Sequence, residues 1–209
     1  DYQNGGPDEI TKVVLHTGDR RYIGDANGQP NQVGYITLPT AGVDSVDLYT
    51  SRGLLLSAGQ GSFTYAGNTL TLPVSAGGMV TAQTGSPSAT NPYLVQTAVQ
   101  LLNIQKDMSA ATGHYRLAAN INMHDLYERT FNGFTGDFSG SIDGGGFHIT
   151  NLDMVGEGLF GTNLGIIRNM RLYKGNMDAT GTVEAGSMCA RNEGTIVACI
   201  NEMNITGDN

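Results

Sequence analysis

Apolar and polar residues alternate in short segments along roughly the first 88 residues, and turn-forming residues separate the segments. This pattern predicts a small antiparallel β-sandwich. The clearest hairpin pairs residues 62–65 with residues 69–72 around Ala66-Gly67-Asn68, since Gly and Asn accept left-handed turn conformations. The candidate strands are Val13–His16, Val33–Leu38, Val46–Tyr49, Leu54–Leu56, Phe63–Tyr65, Leu70–Val74 and Met79–Ala82.

Residues 83–92 lack apolar periodicity and combine two prolines with Ser, Thr and Gly, which indicates a linker. We therefore predict one domain over residues 1–88 and a second over residues 89–209. Directly after the linker, apolar residues recur at three- and four-residue spacing, which predicts an amphipathic helix over residues 94–107. Its apolar positions are Leu94, Val95, Ala98, Leu101 and Leu102. Beyond the helix, the alternation from Tyr115 to Met123 predicts a strand.

The C-terminal part of the chain repeats itself. A shift of 29 residues places Leu159-Phe160-Gly161 over Met188-Cys189-Ala190. The same shift pairs Asn163 with Asn192, Gly165 with Gly194, Ile167 with Ile196, and Met170 with Cys199. A shorter step relates Ile149, Asn151, Leu152 and Met154 to Ile167, Asn169, Met170 and Leu172. Unequal steps with a shared apolar pattern are typical of stacked coils joined by loops of different lengths.

Stacked coils predict a parallel β-helix in which each coil buries an apolar column against the next, about 4.8 Å away. Because the first coil would otherwise present an unpaired edge, we expect the helix at 94–107 to cap it. The predicted fold is mostly β: an N-terminal antiparallel sandwich followed by a helix-capped, right-handed parallel β-helix. The pattern is still repeating at Asn209, so we expect this solenoid to be truncated at its C-terminal end.

Composition supports a β-rich chain that does not bind nucleic acid. Thirty glycines in 209 residues and a charged fraction of 14% suit many short strands joined by tight corners. The net charge of -8 repels phosphate backbones, and the Lys and Arg residues form no basic cluster. No apolar run approaches the roughly 20 residues of a membrane span. We expect a monomer.

Two segments resemble GLUG repeats: residues 158–167, which read GLFGTNLGII, and residues 186–196, which read GSMCARNEGTI. The upstream segment 138–152 is similar to the sequence that commonly precedes such repeats. GLUG repeats are found in bacterial surface adhesins and in non-catalytic regions of immunoglobulin A peptidases. The resemblance therefore implies an extracellular or cell-surface location, and it carries no catalytic residues to transfer. Two positions depart from the pattern: Ala190 replaces a corner glycine, and Asn201 lies where the previous coil has Leu172. The N-terminal domain invites comparison with fimbrillin-like sandwiches.

The two cysteines, Cys189 and Cys199, are close in sequence, and a disulfide is conceivable in an exported protein. Their alignment with Phe160 and Met170 favours free thiols that act as small buried apolar groups. None of His16, His114, His124 and His148 has a second ligand at metal-like spacing, and no His-Glu-x-x-His motif occurs. A cluster of His124, Asp125 and Glu128 on a short turn is better explained as solvated loop residues. We expect no metal and no cofactor.

Asp137, Asp143 and Asp153, with Arg168 and Arg171 nearby, are the best candidates for a glycosidase or lyase site. However, Asp143 precedes three glycines, which favours a turn in which its side chain bonds its own backbone.

We therefore predict a non-catalytic segment without catalytic residues that serves adhesion or ligand display at the bacterial surface, with a surface protein or glycan as partner. The alternatives are an accessory region of an immunoglobulin A peptidase-like metallopeptidase and a β-helix polysaccharide lyase or hydrolase.

Overall fold

The computed structural model describes residues 10–25, 42–66, 69–72, 78–83, 85–106, 113–128 and 130–208. The chain divides into two compact units, Asp1–Val80 and Thr81–Asn209. The predicted strand Val33–Leu38 and the predicted helix end at Asp107 lie outside the described residues.

The first unit contains a four-stranded antiparallel sheet in the order β2-β1-β3-β4. Its inward side chains form a small core around Leu15, Val46 and Leu55, each at most 1% exposed. A separate hairpin pairs β5 with β6 through Tyr65 and Leu70, as the turn residues predict. The sandwich itself stays a prediction. The strands are β1 (Ile10–Thr17), β2 (Arg20–Asp25), β3 (Ser45–Thr50), β4 (Gly53–Gly59), β5 (Thr64–Ala66) and β6 (Thr69–Thr71).

The second unit is a β-solenoid of about three turns. From Tyr93 onward, its strands pair in parallel along three faces. The strands are β7 (Val80–Thr81), β8 (Tyr93–Val95), β9 (His114–Leu117), β10 (Ile121–Asn122), β11 (Thr130–Phe131), β12 (Phe134–Phe138), β13 (Ser141–Asp143), β14 (Ile149–Thr150), β15 (Asp153–Val155), β16 (Phe160–Asn163), β17 (Ile166–Arg168), β18 (Arg171–Asp178), β19 (Cys189–Asn192), β20 (Thr195–Val197) and β21 (Ile200–Thr206).

The three faces differ in strand order. The first face has the order β20-β17-β13-β9-β8-β7. The second face has the order β10-β14-β18-β15-β11, and β21 pairs with β18. The third face has the order β12-β16-β19.

The register predicted for the last coils is correct. Asn163 pairs with Asn192, Ile167 pairs with Ile196, and Leu172 pairs with Asn201. In the coils before the last one, the apolar columns point inward and are buried: Phe160 stacks on Phe138 with ring centroids 4.5 Å apart, and Ile142 and Ile167 are 0% exposed.

The shorter step is wrong as a register. Ile149 pairs with Leu172 rather than with Ile167, and Met154 pairs with Met177. Asn151 and Asn169 both take left-handed conformations, with φ of 54° and 51°. They form corners at two different places in the solenoid, so the shorter step aligned two corners and not two strands in register. Similar corner chemistry therefore imitated a repeat.

The helix is shorter than predicted. Helix α1 spans Ala98–Asn103 and continues as a 3₁₀ turn over Ile104–Lys106. Leu94 and Val95 lie in β8 instead, where they pair with Arg116 and Leu117 of β9. The side chain of Thr97 accepts a hydrogen bond from the backbone N–H of Gln100, so the helix begins only there.

Two further predictions need correction. Tyr115 to Met123 is not one strand, because β9 ends at Leu117 and β10 begins at Ile121, before a 3₁₀ turn over Met123–Asp125. Ala190 does not replace a corner glycine: it lies inside β19, opposite Gly161 of β16. A strand position accepts a methyl group that a left-handed corner would not.

Candidate functional site

The outward side of the first face carries two columns of side chains in register. One column contains His114, Ser141, Ile166 and Thr195. The other contains Arg116, Asp143, Arg168 and Val197. Residues between them, such as Ile142, point into the solenoid because side chains alternate along a strand. The coil geometry thus brings together polar groups that lie a whole coil apart in the sequence.

A groove of about 420 Å³ runs along this face. Three stacked glycines, Gly140, Gly165 and Gly194, lie along it. A methyl group at Gly165 would collide with the carbonyl oxygen of Gly140, and one at Gly194 would collide with that of Gly165. Only glycine therefore allows the coils to approach at this corner. The other lining residues are Ala89, His114, Ser139, Ser141, Leu164, Ile166, Arg168 and Thr195.

The polar side chains in the groove have defined positions. His114 Nδ1 lies 2.8 Å from Ser141 Oγ across two neighbouring strands. Asn91, which is 8% exposed, holds the turn that carries Ala89: it exchanges two backbone hydrogen bonds of 3.0 Å with Ser88, and its Nδ2 donates to the Ser86 carbonyl at 3.2 Å. The buried amide of Asn91 therefore fixes the turn that places Ala89 at the groove.

Arg168 is held by Asp143. Its Nε donates to Asp143 Oδ2 at 2.9 Å, while Asp143 Oδ1 accepts from Asn169 Nδ2 and from the backbone N–H of Gly145, both at 2.9 Å. Burial alone would raise the pKa of Asp143, but these hydrogen bonds and the charge of Arg168 outweigh it and lower that pKa. The carboxylate is ionised at neutral pH. The bond to Gly145 is the turn-forming contact that the three glycines predict.

A second polar ladder crosses the coils on the second face. Asp153 accepts hydrogen bonds from His124 Nε2 at 3.1 Å and Asn176 Nδ2 at 2.9 Å, and Asn204 continues the ladder to Asn176 at 3.3 Å. The bonds from His124 and Asn176 lower the pKa of Asp153. Asp125 and Glu128 are exposed, as their interpretation as solvated loop residues predicts, whereas the half-buried His124 ring pairs with Asp153 on the next coil.

The candidate carboxylates do not converge. Asp137 lies in β12 on the third face, Asp143 in β13 on the first, and Asp153 in β15 on the second. Arg171 begins β18 and forms an ion pair with Glu202, so only Asp143 and Arg168 meet as proposed. The solenoid separates them because each corner within a coil turns the chain onto a new face.

The cysteines are free in the structure. Burial raises the pKa of the Cys189 thiol. Cys199 is half-buried rather than buried, and its thiol lies 3.4 Å from the Val197 carbonyl oxygen. Within the described residues, no three His, Cys, Asp or Glu side chains converge as a metal site would require.

The groove was not predicted. In the sequence, the spacing of His114 bears only on metal binding, and no motif marks Ser141. Their contact depends on the pairing of β9 with β13. The number of residues between these two strands matches neither of the two repeat steps seen in the sequence. The signal that could have found them is the recurrence of Gly113, Gly140, Gly165 and Gly194, each just before or at the start of a first-face strand.

No family model matches the chain, and no solved structure matches it significantly. Halomucin from Haloquadratum walsbyi is 37% identical over 92 residues, which cover 39% of this chain. The match spans about 1% of the length of halomucin. No helix among the described residues has both the length and the apolar character needed to cross a bilayer. The chain is thus similar to one part of a much longer protein.

Proposed function

We propose that the chain is a non-catalytic extracellular segment that serves adhesion or ligand display. The observation that carries this proposal is the first face, where parallel coils align outward polar side chains in register beside a groove. A solenoid presents such columns on a stiff scaffold, which suits contact with an extended partner. The surface protein or glycan expected from the sequence is the partner class.

Four further observations support an extracellular binding role. The candidate carboxylates lie on separate faces, and Asp143 is occupied by a turn and an ion pair. The net charge of -8 disfavours nucleic acid. The partial similarity to a protein named as a mucin is compatible with an extracellular location. The GLUG-like motifs support the same setting.

The finer fold, a right-handed and helix-capped solenoid after an N-terminal sandwich, belongs to the same proposal. The cap is supported by Gln105, which follows α1. Its Nε2 donates to the Thr135 carbonyl oxygen at 2.8 Å, and its Oε1 accepts from the Thr135 N–H at 2.7 Å. The Gln105 side-chain amide thereby makes hydrogen bonds that a neighbouring strand would otherwise make with the edge of β12.

Immobilised chain tests the function directly. We expect it to retain a subset of glycans or surface proteins from a defined panel, with saturable binding that an excess of soluble chain competes away. A chain that retains none of the panel, at concentrations where a known lectin does, contradicts the proposal.

A polysaccharide lyase or hydrolase is the second candidate, because Asp143 and Arg168 meet beside the groove. Incubation with uronates and other glycans distinguishes the two. We expect no shortened products. Product formation that Asp143→Asn abolishes would assign catalysis instead.

A further inference from the structure

We propose that the first-face groove binds a carboxylated glycan, with Arg168 pairing with the sugar carboxylate and the glycine-lined corner receiving the rings. This inference rests on the proposed binding function and names its ligand class and contact residues.

The charge of the groove favours an anion. Among the described residues that line it, Arg168 is cationic and none is a carboxylate, although the whole chain has a net charge of -8. Asp143 bonds the Nε of Arg168, and the Arg168 side chain is 51% exposed. Its terminal nitrogens have no partner among the described residues. A guanidinium that is held at Nε presents those nitrogens in a fixed direction, which suits bidentate pairing with a carboxylate.

The remaining surface suits sugar rings. Leu164 and Ile166 are 44% and 43% exposed at the groove, and they offer apolar contact to the C–H face of a ring. Ser139, Ser141, Thr195 and His114 offer hydrogen-bonding groups to its hydroxyls. Mixed apolar contact and hydroxyl recognition on one surface is what an amphipathic ring requires.

The direction of the groove favours a polysaccharide over a peptide. Neighbouring coils repeat about every 4.8 Å, a spacing close to the length of one sugar residue in an extended chain. The backbone of β13 and β17 is already paired on both sides, so a peptide lying over this face finds no main-chain ladder to extend. A glycan needs only side chains and ring contacts.

The test uses the 209-residue chain and a galacturonate hexamer, with binding measured by calorimetry at low and moderate salt. The matched ligand control is the same hexamer as its methyl ester, which keeps the rings and removes the charge. Polyglutamate of similar charge serves as the peptide control. We expect saturable binding of the hexamer, at least tenfold weaker binding of the ester, and no competition from polyglutamate.

The matched protein variants are Arg168→Gln and Arg171→Gln. Both remove one exposed arginine from an ion pair, but Arg171 lies on the second face. We expect Arg168→Gln to weaken binding at least tenfold and Arg171→Gln to change it less than twofold. A third variant, Ile166→Ser, should weaken binding several-fold without changing the salt dependence, because it removes ring contact and leaves the charge.

The outcomes separate this inference from the proposed function. Equal losses in both arginine variants would show diffuse charge attraction and overturn the inference. Effective competition by polyglutamate would assign the groove to acidic peptides. If the chain retains partners from the panel but ignores the galacturonate hexamer, or if Arg168→Gln retains them fully, the adhesive function stands and the ligand class is wrong. If it retains none, the function itself fails.

Discussion

Counted from β9, the third coil of the solenoid contains β17 and β18, and the last coil contains β20 and β21. The two coils carry nearly the same pattern, yet they are buried very differently. Ile167 of β17 is 0% exposed, whereas Ile196 of β20, its partner in register, is 37% exposed. Leu172 is buried, and its partner Asn201 is exposed. The difference shows that a coil is stabilised by the coils on both sides of it. The same residue type therefore contributes more to stability in a covered coil than in an outer coil.

The largest contrast is expected at the stacked glycines. Gly165→Ala places a methyl group against the Gly140 carbonyl between two covered coils, and we expect a loss of more than about 4 kcal/mol of unfolding free energy. Gly194→Ala makes the same collision with Gly165 on the last coil, which can lift away, so we expect about 1–2 kcal/mol. Urea unfolding measured by circular dichroism checks both.

Gly59→Ala is the control, since a Cβ there meets nothing within 4 Å. It should leave the transition unchanged. Equal losses for Gly165→Ala and Gly194→Ala would contradict the argument that layer position decides the cost.

The isoleucine column should give the next largest difference. Ile167→Ala removes a fully buried side chain and should cost about 2–5 kcal/mol through lost burial and a cavity. Ile196→Ala removes a partly exposed one and should cost less than about 1 kcal/mol. Chemical denaturation of the two variants measures the contrast, and a comparable cost at both positions would show that the last coil is as well packed as the third.

The asparagine pair should show a smaller asymmetry. Asn163 is 0% exposed, donates to Asn192 Oδ1 at 2.7 Å and accepts from the Gly165 N–H at 3.1 Å. Asn163→Ala removes one of the two acceptors of the Gly165 N–H, the other being the Phe138 carbonyl oxygen at 2.9 Å, and it removes the buried donor to Asn192. It should cost about 1–3 kcal/mol. Asn192→Ala removes the Oδ1 acceptor of the Asn163 Nδ2 group and should cost about 1 kcal/mol or less.

Amide hydrogen exchange at Gly165 reports the same contrast locally. We expect faster exchange in Asn163→Ala and nearly unchanged exchange in Asn192→Ala. The reverse order would show that the outer residue organises the corner.

The smallest effect is expected from acid. Because the folded-state pKa values of Asp143 and Asp153 are lowered, each carboxylate stabilises the folded chain above the ordinary carboxyl range, and that contribution is lost as pH falls through the folded-state values. Stability should therefore decline below about pH 4. In Asp143→Asn, the loss of stability with falling pH should be smaller. Thermal unfolding between pH 3 and pH 7 measures this loss. An equal loss in the variant and the original chain would contradict the stabilising role of the Asp143 carboxylate.

Some of the fold was predictable because it depends on short-range chemistry. Gly67-Asn68 between alternating segments predicted the β5–β6 hairpin, and the longer of the two repeat steps predicted the pairing of Asn163 with Asn192. By contrast, the periodicity at Leu94 and Val95 indicated a helix, whereas pairing with β9 makes them a strand. Tertiary hydrogen bonding overrode a local apolar spacing.

By itself, the sequence determined that the chain would turn often, bury apolar columns and use Gly and Asn at corners, because these properties belong to single residues and their neighbours. Only the tertiary structure decided the unequal steps between successive coils, which differ from face to face and from layer to layer. Those steps depend on loop lengths that side-chain patterns do not encode. They are also what brings His114 to Ser141 and Arg168 to Asp143, so the groove exists only once the coils are stacked.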